Sequence, residues 1–209
     1  MNKIITFEGV DGCGKTTQIN LLSDYLNNCN KKNVIVREPG GTSISEKIRE
    51  ILLDDSNSIN SITETLLFLS SRSQLVNEVI RKEIDNCNFI LFDRFVDSTI
   101  AYQGYGRGLD IKKLQSLNDF ATDNLKPDLT FILDIKLSES LRRIHSDNMD
   151  RMEKSGHSFL KRVISGYKKM ALEEKVRYKL IDCNNRIQED ISQEIILHVD
   201  KFYKGSKYE

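Results

Sequence analysis

Short apolar runs alternate along the chain with longer stretches in which apolar residues recur every three or four positions. Four runs are nearly continuous and rich in β-branched or aromatic residues, which is typical of buried parallel strands. They span residues 4–7, 34–36, 89–92 and 129–134, and a weaker fifth run spans 178–181. The intervening helical spacing, clearest over about 61–86, completes βαβ units. The pattern predicts an α/β fold: a five-stranded parallel sheet with helices on both faces.

The chain shows no sign of division into separate domains. Its only two prolines, Pro39 and Pro127, lie between predicted elements, and no Gly/Ser linker or internal repeat occurs. Its glycines cluster directly after strands, where α/β sheets bind their ligands. We therefore expect one domain over residues 1–209.

The amino-acid composition argues against several classes of protein. Of the 209 residues, 31 are Lys or Arg and 31 are Asp or Glu, so the formal net charge is zero. A nucleic-acid-binding protein would need an excess of basic residues, and no apolar run is long enough to span a bilayer. The four cysteines form no C-x-x-C pair, which argues against a zinc site or a disulfide framework. Together with a first segment too polar for a secretory signal, this predicts a cytoplasmic protein.

A phosphate-binding motif follows the first strand. The residues Gly9, Val10, Asp11, Gly12, Cys13, Gly14, Lys15 and Thr16 match G-x-x-x-x-G-K-[ST] between a predicted strand and a predicted helix. Such a loop turns its N–H groups and the positive end of the helix dipole toward phosphates. Lys15 supplies a point charge for the β- and γ-phosphates of ATP. Cys13 is either a small residue that the loop tolerates or a thiol made acidic by the helix start.

The third strand ends in a carboxylate, Asp93, as expected of a Walker-B element. Thr16 and Asp93 are therefore the predicted ligands of a Mg²⁺ ion that accompanies ATP. The next residue, Arg94, can bind phosphate, and Arg49 and Arg72 fall near the same sheet edge. The N-K-x-D segment of a switch GTPase is missing. Two phosphorylated ligands facing one another indicate a nucleotide monophosphate kinase.

Further segments in the same order make the chain resemble the bacterial branch of the thymidylate kinase family. The resemblance rests on residues 7–17, 37–42, 68–72, 93–95, 101–108, 126–130, 150–153 and 159–163. It implies a P-loop NTPase fold and transfer of the γ-phosphoryl group of ATP to dTMP, with Mg²⁺ as cofactor. It also implies a homodimer formed by helices packed face to face.

The resemblance also carries expected roles for residues of the acceptor site. Phe68 is expected to stack on thymine, Arg72 to bind a base carbonyl or else a phosphate, and Arg94 to bind the acceptor phosphate. The full expected set is Glu38, Arg49, Phe68, Arg72, Arg94, Ser98, Tyr102 and Gln103. Tyr102 is further expected to crowd the 2′ position and so to favour deoxyribose.

The expected catalytic residues are those that neutralise charge or close the site: Lys15, Arg94, Asp11, Arg142, Arg143 and Arg151. Asp11 is expected to position the acceptor, with general-base work as the alternative. Some members of this family carry a catalytic arginine in the phosphate loop, and others carry it in a short mobile lid. Because the loop position here is Gly12, the resemblance implies the second type, with a lid at about 142–157. Counting back from Asp150 places that arginine at Ser146. Arg142 and Arg143 are either lid residues, one of them stacking on adenine, or a cationic pair at a helix end.

Two other functions fit parts of this pattern. One is a P-loop kinase that acts on another nucleotide or on a nucleoside. The other is a switch module that hydrolyses ATP slowly without an acceptor. Because the predicted arginines and Phe68 favour a pyrimidine monophosphate, the leading hypothesis is a dTMP kinase.

Overall fold

The computed structural model describes residues 3–144 and 150–205. Its centre is a five-stranded sheet with the spatial order β2-β3-β1-β4-β5, in which every neighbouring pair is parallel. The strands are β1 (Lys3–Glu8), β2 (Asn33–Arg37), β3 (Phe89–Asp93), β4 (Leu129–Asp134) and β5 (Tyr178–Asp182). The five predicted strands and their parallel arrangement are thus confirmed.

Helices connect the strands and cover both faces of the sheet. They are α1 (Lys15–Asn28), α2 (Ser43–Leu53), α3 (Ser61–Leu75), α4 (Arg81–Glu83), α5 (Val96–Thr99), α6 (Ile111–Thr122), α7 (Leu137–Arg143), α8 (His157–Glu173) and α9 (Gln188–Gly205). Two π-helical segments, Val76–Ile80 and Ile100–Gly106, extend α3 and α5. The stretch predicted as one helix over about 61–86 therefore ends at Glu83 and changes pitch on the way.

Two separate apolar cores hold the helices on the sheet. The larger lies on the α1, α8 and α9 side and includes Ile5, Phe131 and Tyr167. The smaller lies under α3 and includes Ile90 and Leu75. Because alternate residues of one strand enter different cores, the central strands are apolar on both faces, as their continuous apolar sequence predicted.

Part of the predicted apolar stripes faces outward. On α2, Leu52 is buried, whereas Ile44 and Ile51 are exposed. On α3, Leu69 is buried, whereas Leu66 is half exposed. Helical spacing indicates a helix but does not tell a core-facing residue from a surface one.

The candidate functional residues that follow β1 and β3 lie at one edge of the sheet. Strands β1 and β3 are direct neighbours, with Phe7 opposite Asp93. The loop after β1 and the turn after β3 therefore meet at the carboxyl ends of the strands, where a parallel sheet binds ligands. Within residues 3–144 and 150–205, none of the helices combines the length and apolar character that crossing a bilayer requires.

Candidate active site

The loop after β1 forms the floor of an open cavity, here called the loop cavity. Residues 11–18, Arg143 and residues 186–189 line it. Gly14 adopts a left-handed conformation at the start of α1, with a φ of 100°, which a side chain would disfavour. The N–H groups of the first turn of α1 have no partners within the helix, so this start offers donors and a positive dipole end to an anion.

Lys15 is bent back onto its own loop. Its ammonium donates to the carbonyls of Gly9 and Val10, each at 3.2 Å, and lies 3.5 Å from the Asp11 carboxylate. Gly9 and Val10, at the start of the loop, supply these carbonyls but do not line the cavity. The loop thus holds the lysine charge beside the cavity in readiness for an anionic ligand.

Cys13 is buried under the loop. Burial raises the pKa of its thiol, although the nearby Lys15 opposes that shift. A protonated thiol is a weak nucleophile, so the structure favours the first of the two interpretations, a small residue that the loop tolerates.

Thr16 and Asp93 meet at the side of the loop cavity. The Thr16 hydroxyl donates to a carboxylate oxygen of Asp93 at 3.0 Å, which brings together one hydroxyl and one carboxylate from different elements. Mg²⁺ prefers oxygen ligands and in such sites keeps several waters and binds phosphates. This donor set fits the ion. Across the described ranges no group of three or more His, Cys, Asp or Glu side chains could form an all-protein metal cage.

A second cavity, here called the inner cavity, lies between α2, α3 and the π-helical segment after α5. All eight residues expected to bind the acceptor line it: Glu38, Arg49, Phe68, Arg72, Arg94, Ser98, Tyr102 and Gln103. Phe68 is partly buried and presents its ring at the wall. The structure therefore brings together residues that lie up to 65 positions apart in the chain.

The two cavities share four lining residues, Asp11, Glu38, Arg49 and Arg94. The Arg94 guanidinium donates to the Asp11 carboxylate at 2.6 Å and to the Gly9 carbonyl at 2.9 Å. Burial by itself would raise the pKa of Asp11, but Arg94 and Lys15 hold that pKa well below its usual range. Arg94 itself has a φ of 67°, a left-handed conformation that a non-glycine residue rarely adopts and that is often found at functional sites.

Arg72 is buried, and each of its three guanidinium nitrogens donates to the protein. It donates to the Glu38 carboxylate at 2.8 Å, to Thr99 at 2.7 Å, to Asn118 at 2.5 Å and to the Phe95 carbonyl at 2.9 Å. A base carbonyl would have to compete with these partners. Burial raises the pKa of Glu38 against the opposing effect of Arg72, and the buried Oε1 atom of Glu38 has no hydrogen-bond partner within the part of the chain that the structure describes.

Arg49 reaches the boundary between the cavities from α2. It donates to the Pro39 carbonyl at 3.0 Å. Burial and the neighbouring Arg37 lower the pKa of Arg49, because both disfavour its positive charge. A site that concentrates guanidinium groups in this way is suited to an anionic ligand.

A buried carboxylate supports the turn that carries Arg94. Glu8 accepts hydrogen bonds from the Phe95 N–H at 2.8 Å, from the Ser98 hydroxyl at 2.6 Å and from the Tyr167 hydroxyl at 2.7 Å. Burial and the nearby Asp97 raise the pKa of Glu8 to about 7. The cavity residue Ser98 is thus fixed by a group that lies behind it.

Tyr102 and Gln103 form another wall of the inner cavity. The Arg94 guanidinium lies 5.1 Å from the centroid of the Tyr102 ring, within range of a cation–π interaction. The buried Tyr102 hydroxyl has no hydrogen-bond partner among the described residues, and burial raises its pKa. Gln103 donates through Nε2 to the buried Glu64 at 2.9 Å.

The three candidate lid arginines occupy different places. Arg143 donates to the Gly12 carbonyl at 3.2 Å and so lies on the loop. Arg142 is exposed and paired with Glu139. Arg151 donates to Glu64 at 2.7 Å and to the Leu52 carbonyl at 2.7 Å, on the side of the inner cavity. Ser146, where the family's arginine was expected, lies outside the described residues.

Helix α7 packs directly on the phosphate loop. A Cβ atom at Gly12 would lie 2.8 Å from the Ser140 carbonyl oxygen, and Gly12 has a φ of 73°. An arginine at this position would therefore be strained.

Several residues of the inner cavity were not predicted from the sequence. Thr99, Asp150 and Met152 line it, and Glu8 and Glu64 support it from behind. Each buried glutamate left a signal, since Glu8 is a carboxylate at the end of an apolar strand and Glu64 lies one helical turn before Phe68. Asp150 and Met152 lie in the segment 150–153 that contributes to the family resemblance, whereas Thr99 left no signal, because nothing in its neighbourhood sets it apart from a core residue.

Comparisons with known proteins show the family to which this chain is similar. The family profile described as thymidylate kinase matches residues 7–195. The thymidylate kinase of Thermosipho africanus (strain TCF52B) is 52% identical over 167 residues, which cover 80% of this chain and 83% of that protein. That of Thermoanaerobacter sp. (strain X514) is 44% identical over 200 residues, which cover 96% and 98% of the two chains.

A solved structure shows the same fold. The crystal structure of thymidylate kinase from Ehrlichia chaffeensis matches with a TM-score of 0.78 and 34% identity, covering 95% of this chain and 98% of the other. The likeness confirms the P-loop NTPase fold predicted from the sequence. The family match also spans the phosphate loop and both cavities. The chain belongs to the thymidylate kinase family.

Proposed function

We propose that this chain transfers the γ-phosphoryl group of ATP to dTMP, giving dTDP and ADP, with ATP in the loop cavity and dTMP in the inner cavity. The observation that carries the proposal is the shared boundary of the two cavities, formed by Asp11, Glu38, Arg49 and Arg94. A donor phosphate and an acceptor phosphate that approach this boundary from opposite sides meet beside the same guanidinium groups. The reaction supplies a precursor of dTTP, which fits the cytoplasmic location expected for the chain.

On the donor side, the N–H groups after Gly12 and Gly14 bind the phosphates of ATP. Lys15 exchanges its two loop carbonyls for phosphate oxygens, which it reaches without leaving the loop. Since the phosphates carry full negative charges and carbonyls only partial ones, the exchange is favourable. The base lies toward residues 186–189, which line the same cavity, and either Arg142 or Arg143 stacks on it.

On the acceptor side, the pyrimidine ring stacks on Phe68, and Gln103 lies at its edge. Arg94 and Arg49 bind the phosphate at the boundary, and Ser98 lies beside Arg94. Tyr102, whose buried ring forms the wall next to Arg94, leaves little room for a 2′-hydroxyl group. Arg72 holds Glu38 and the turn at Phe95 in place, and the base carbonyl approaches it from the cavity.

Catalysis then comes mainly from placement and charge neutralisation, as in other phosphoryl transfers. Arg94 and Lys15 face the transferred group, and Arg143 is the candidate lid arginine that already touches the loop. Asp11 stays ionised because both neighbouring cations lower its pKa. Its role is to position Arg94 and the acceptor, since a dTMP phosphate is already an anion and needs no strong base.

Mg²⁺ is the proposed cofactor, held through Thr16 and Asp93 together with phosphate oxygens of ATP. When bound, it neutralises charge on the β- and γ-phosphates. The hydroxyl–carboxylate pair at 3.0 Å supports this assignment, because both side chains offer the oxygen ligands that the ion prefers.

A homodimer is proposed through α2, α3 and α6, which pack in a row on one side of the molecule. Their outer faces expose several large apolar side chains: Ile44, Ile51, Ile62, Leu66, Leu117 and Phe120. Monomeric proteins rarely leave large apolar patches in water, and these side chains lie on neighbouring helices. A second copy of the chain packed face to face would cover it.

An assay of ADP release with dTMP, dUMP, CMP and AMP in parallel tests the function. The proposal expects ADP release that depends on an acceptor and is fastest with dTMP. A kinase for another nucleotide would prefer a different acceptor. A switch module would release ADP slowly and at the same rate with and without dTMP, and that result would remove the kinase assignment.

A further inference from the structure

Glu64 is a fully buried carboxylate that lies behind the inner cavity. It belongs to α3, one turn before Phe68, and it accepts hydrogen bonds from three side chains of other segments. These are Gln103 at 2.9 Å, Arg107 at 2.9 and 3.1 Å, and Arg151 at 2.7 Å. Burial alone would raise the pKa of Glu64, but the bonds from Arg107, Gln103 and Arg151 lower it below its ordinary value.

An ionised carboxylate can only accept hydrogen bonds, and this fixes the orientation of the Gln103 amide. The two ends of an amide have nearly the same shape, so packing alone would not choose between them. The Glu64 carboxylate determines the orientation, because only the NH₂ end of the amide can donate to it. The Oε1 atom of Gln103 is therefore turned away from Glu64.

Gln103 lines the inner cavity, whereas Glu64 does not. One N–H of the NH₂ end is held by Glu64 behind the wall and the carbonyl oxygen points away from Glu64, so this oxygen is the hydrogen-bond acceptor that Gln103 can offer to a ligand. We propose that Glu64 is a positioning residue that sets base specificity by presenting Gln103 to the acceptor as a hydrogen-bond acceptor. The proposal rests on the proposed function, since it deepens the account of the dTMP site.

The chemistry of pyrimidines shows what such an acceptor selects. Thymine and uracil carry an N3–H donor, whereas the N3 atom of cytosine has a lone pair. A carbonyl oxygen facing N3 therefore bonds thymine and uracil and repels cytosine. The 5-methyl group plays no part, so this contact excludes cytosine but does not distinguish dTMP from dUMP.

The test compares Glu64→Gln with wild type and measures kcat/KM for dTMP and for dCMP. A glutamine at 64 can accept or donate, so Gln103 becomes free to turn its NH₂ group toward the cavity. The ratio of the two kcat/KM values should then fall about tenfold or more, because the wild-type site penalises an unpaired buried polar group. Binding of dTMP and dCMP measured by calorimetry should show the same loss of preference without any need for turnover.

Loss of the buried charge also removes a partner of Arg107 and Arg151, and this alone could unfold the protein. The control is therefore Arg107→Met, which breaks the ion pair with Glu64 and leaves the Gln103 bond. Its dTMP-to-dCMP ratio should match wild type. The double variant Glu64→Gln/Arg107→Met removes one negative and one positive charge, so it leaves the net charge of the buried cluster unchanged. Compared with Arg107→Met, it should show the same fall in the ratio.

A third arm uses the wild-type protein and 3-methyl-dTMP, which lacks the N3–H group. It should bind at least about tenfold more weakly than dTMP. Equal binding would overturn the inference, as would a folded Glu64→Gln or double variant with an unchanged ratio. These results differ from failure of the proposed function, in which wild type itself shows no ADP release that depends on dTMP.

Discussion

The Arg94 guanidinium and the Asp11 carboxylate form a 2.6 Å hydrogen bond at the boundary between the loop cavity and the inner cavity. Arg94 comes from the turn after β3 and Asp11 from the loop after β1, so two neighbouring strands supply the pair. The bond aims the guanidinium at the boundary, and the left-handed backbone of Arg94 lets it reach there. This pair links the donor and acceptor halves of the proposed site.

Arg94→Ala should lower turnover with dTMP by about a hundredfold or more, because it removes a positive charge from the path of the phosphoryl group. Arg81→Ala is the matched control, since Arg81 is an exposed arginine paired with Asp123 far from both cavities. Steady-state kinetics of both variants checks the prediction. Near-normal turnover in Arg94→Ala would refute the role assigned to Arg94.

Lys15→Ala should also lower turnover by about a hundredfold or more. The loop would remain, but the charge that faces the β- and γ-phosphates would be lost. Lys201→Ala, at an exposed position of α9, should behave like wild type. If single-turnover rates of the two variants were equal, Lys15 would have no part in the transfer.

Phe68→Ala should chiefly raise the KM for dTMP, by about tenfold, with a smaller change in kcat. Stacking of a base on an aromatic ring contributes about 1–3 kcal/mol. Phe68→Tyr keeps the ring and should stay close to wild type. Saturation with dTMP at an unchanged concentration in Phe68→Ala would exclude the stacking role.

The pH dependence of stability should report on Glu8. Its pKa is about 7 in the folded protein against an ordinary value of 4.5. The folded state therefore holds a proton that the unfolded state has released between these two values. The contribution of Glu8 to stability is complete below about pH 4.5 and is lost as the pH rises through about 7.

Glu8→Gln removes this titration. From pH 5 to pH 8, the free energy of unfolding of wild type should fall relative to the variant by on the order of 2–3 kcal/mol. Urea unfolding at a series of pH values measures the difference. Curves that stay parallel across the range would show that Glu8 is ionised throughout.

The exposed apolar faces of α2, α3 and α6 predict the oligomeric state. Wild type should have the mass of a dimer in light scattering. Leu66→Glu places a charge in the proposed interface and should shift the mass toward a monomer. Leu197→Glu, at an exposed position of α9, should leave the dimer intact. A monomeric wild type would contradict the proposed assembly.

The strands and the phosphate loop that position the site were predictable from the sequence, because short-range patterns of residues determine them. The apolar runs before Gly9 and before Arg94 could only be buried strands, and the loop motif could bind phosphate only between a strand and a helix. Parallel strands then bring Asp11, Asp93 and Arg94 to one edge. The resemblance to a family added Phe68, Tyr102 and Gln103, which the structure places in one cavity.

What the sequence could not predict depends on contacts between distant segments. The partners of Arg72 come from Glu38, Thr99 and Asn118, which no local pattern connects. In the same way, Arg151 was expected to act in catalysis, but its guanidinium is bound to Glu64 on α3. The direction of a long side chain is set by burial and by available partners, and neither can be read from spacing.

The most direct test is a crystal structure with dTMP and a non-hydrolysable ATP analogue bound together. The account predicts the triphosphate on the loop after β1, the thymine ring against Phe68 and the dTMP phosphate beside Arg94. Electron density for dTMP at any other place, or an inner cavity that stays empty at saturating dTMP, would contradict it.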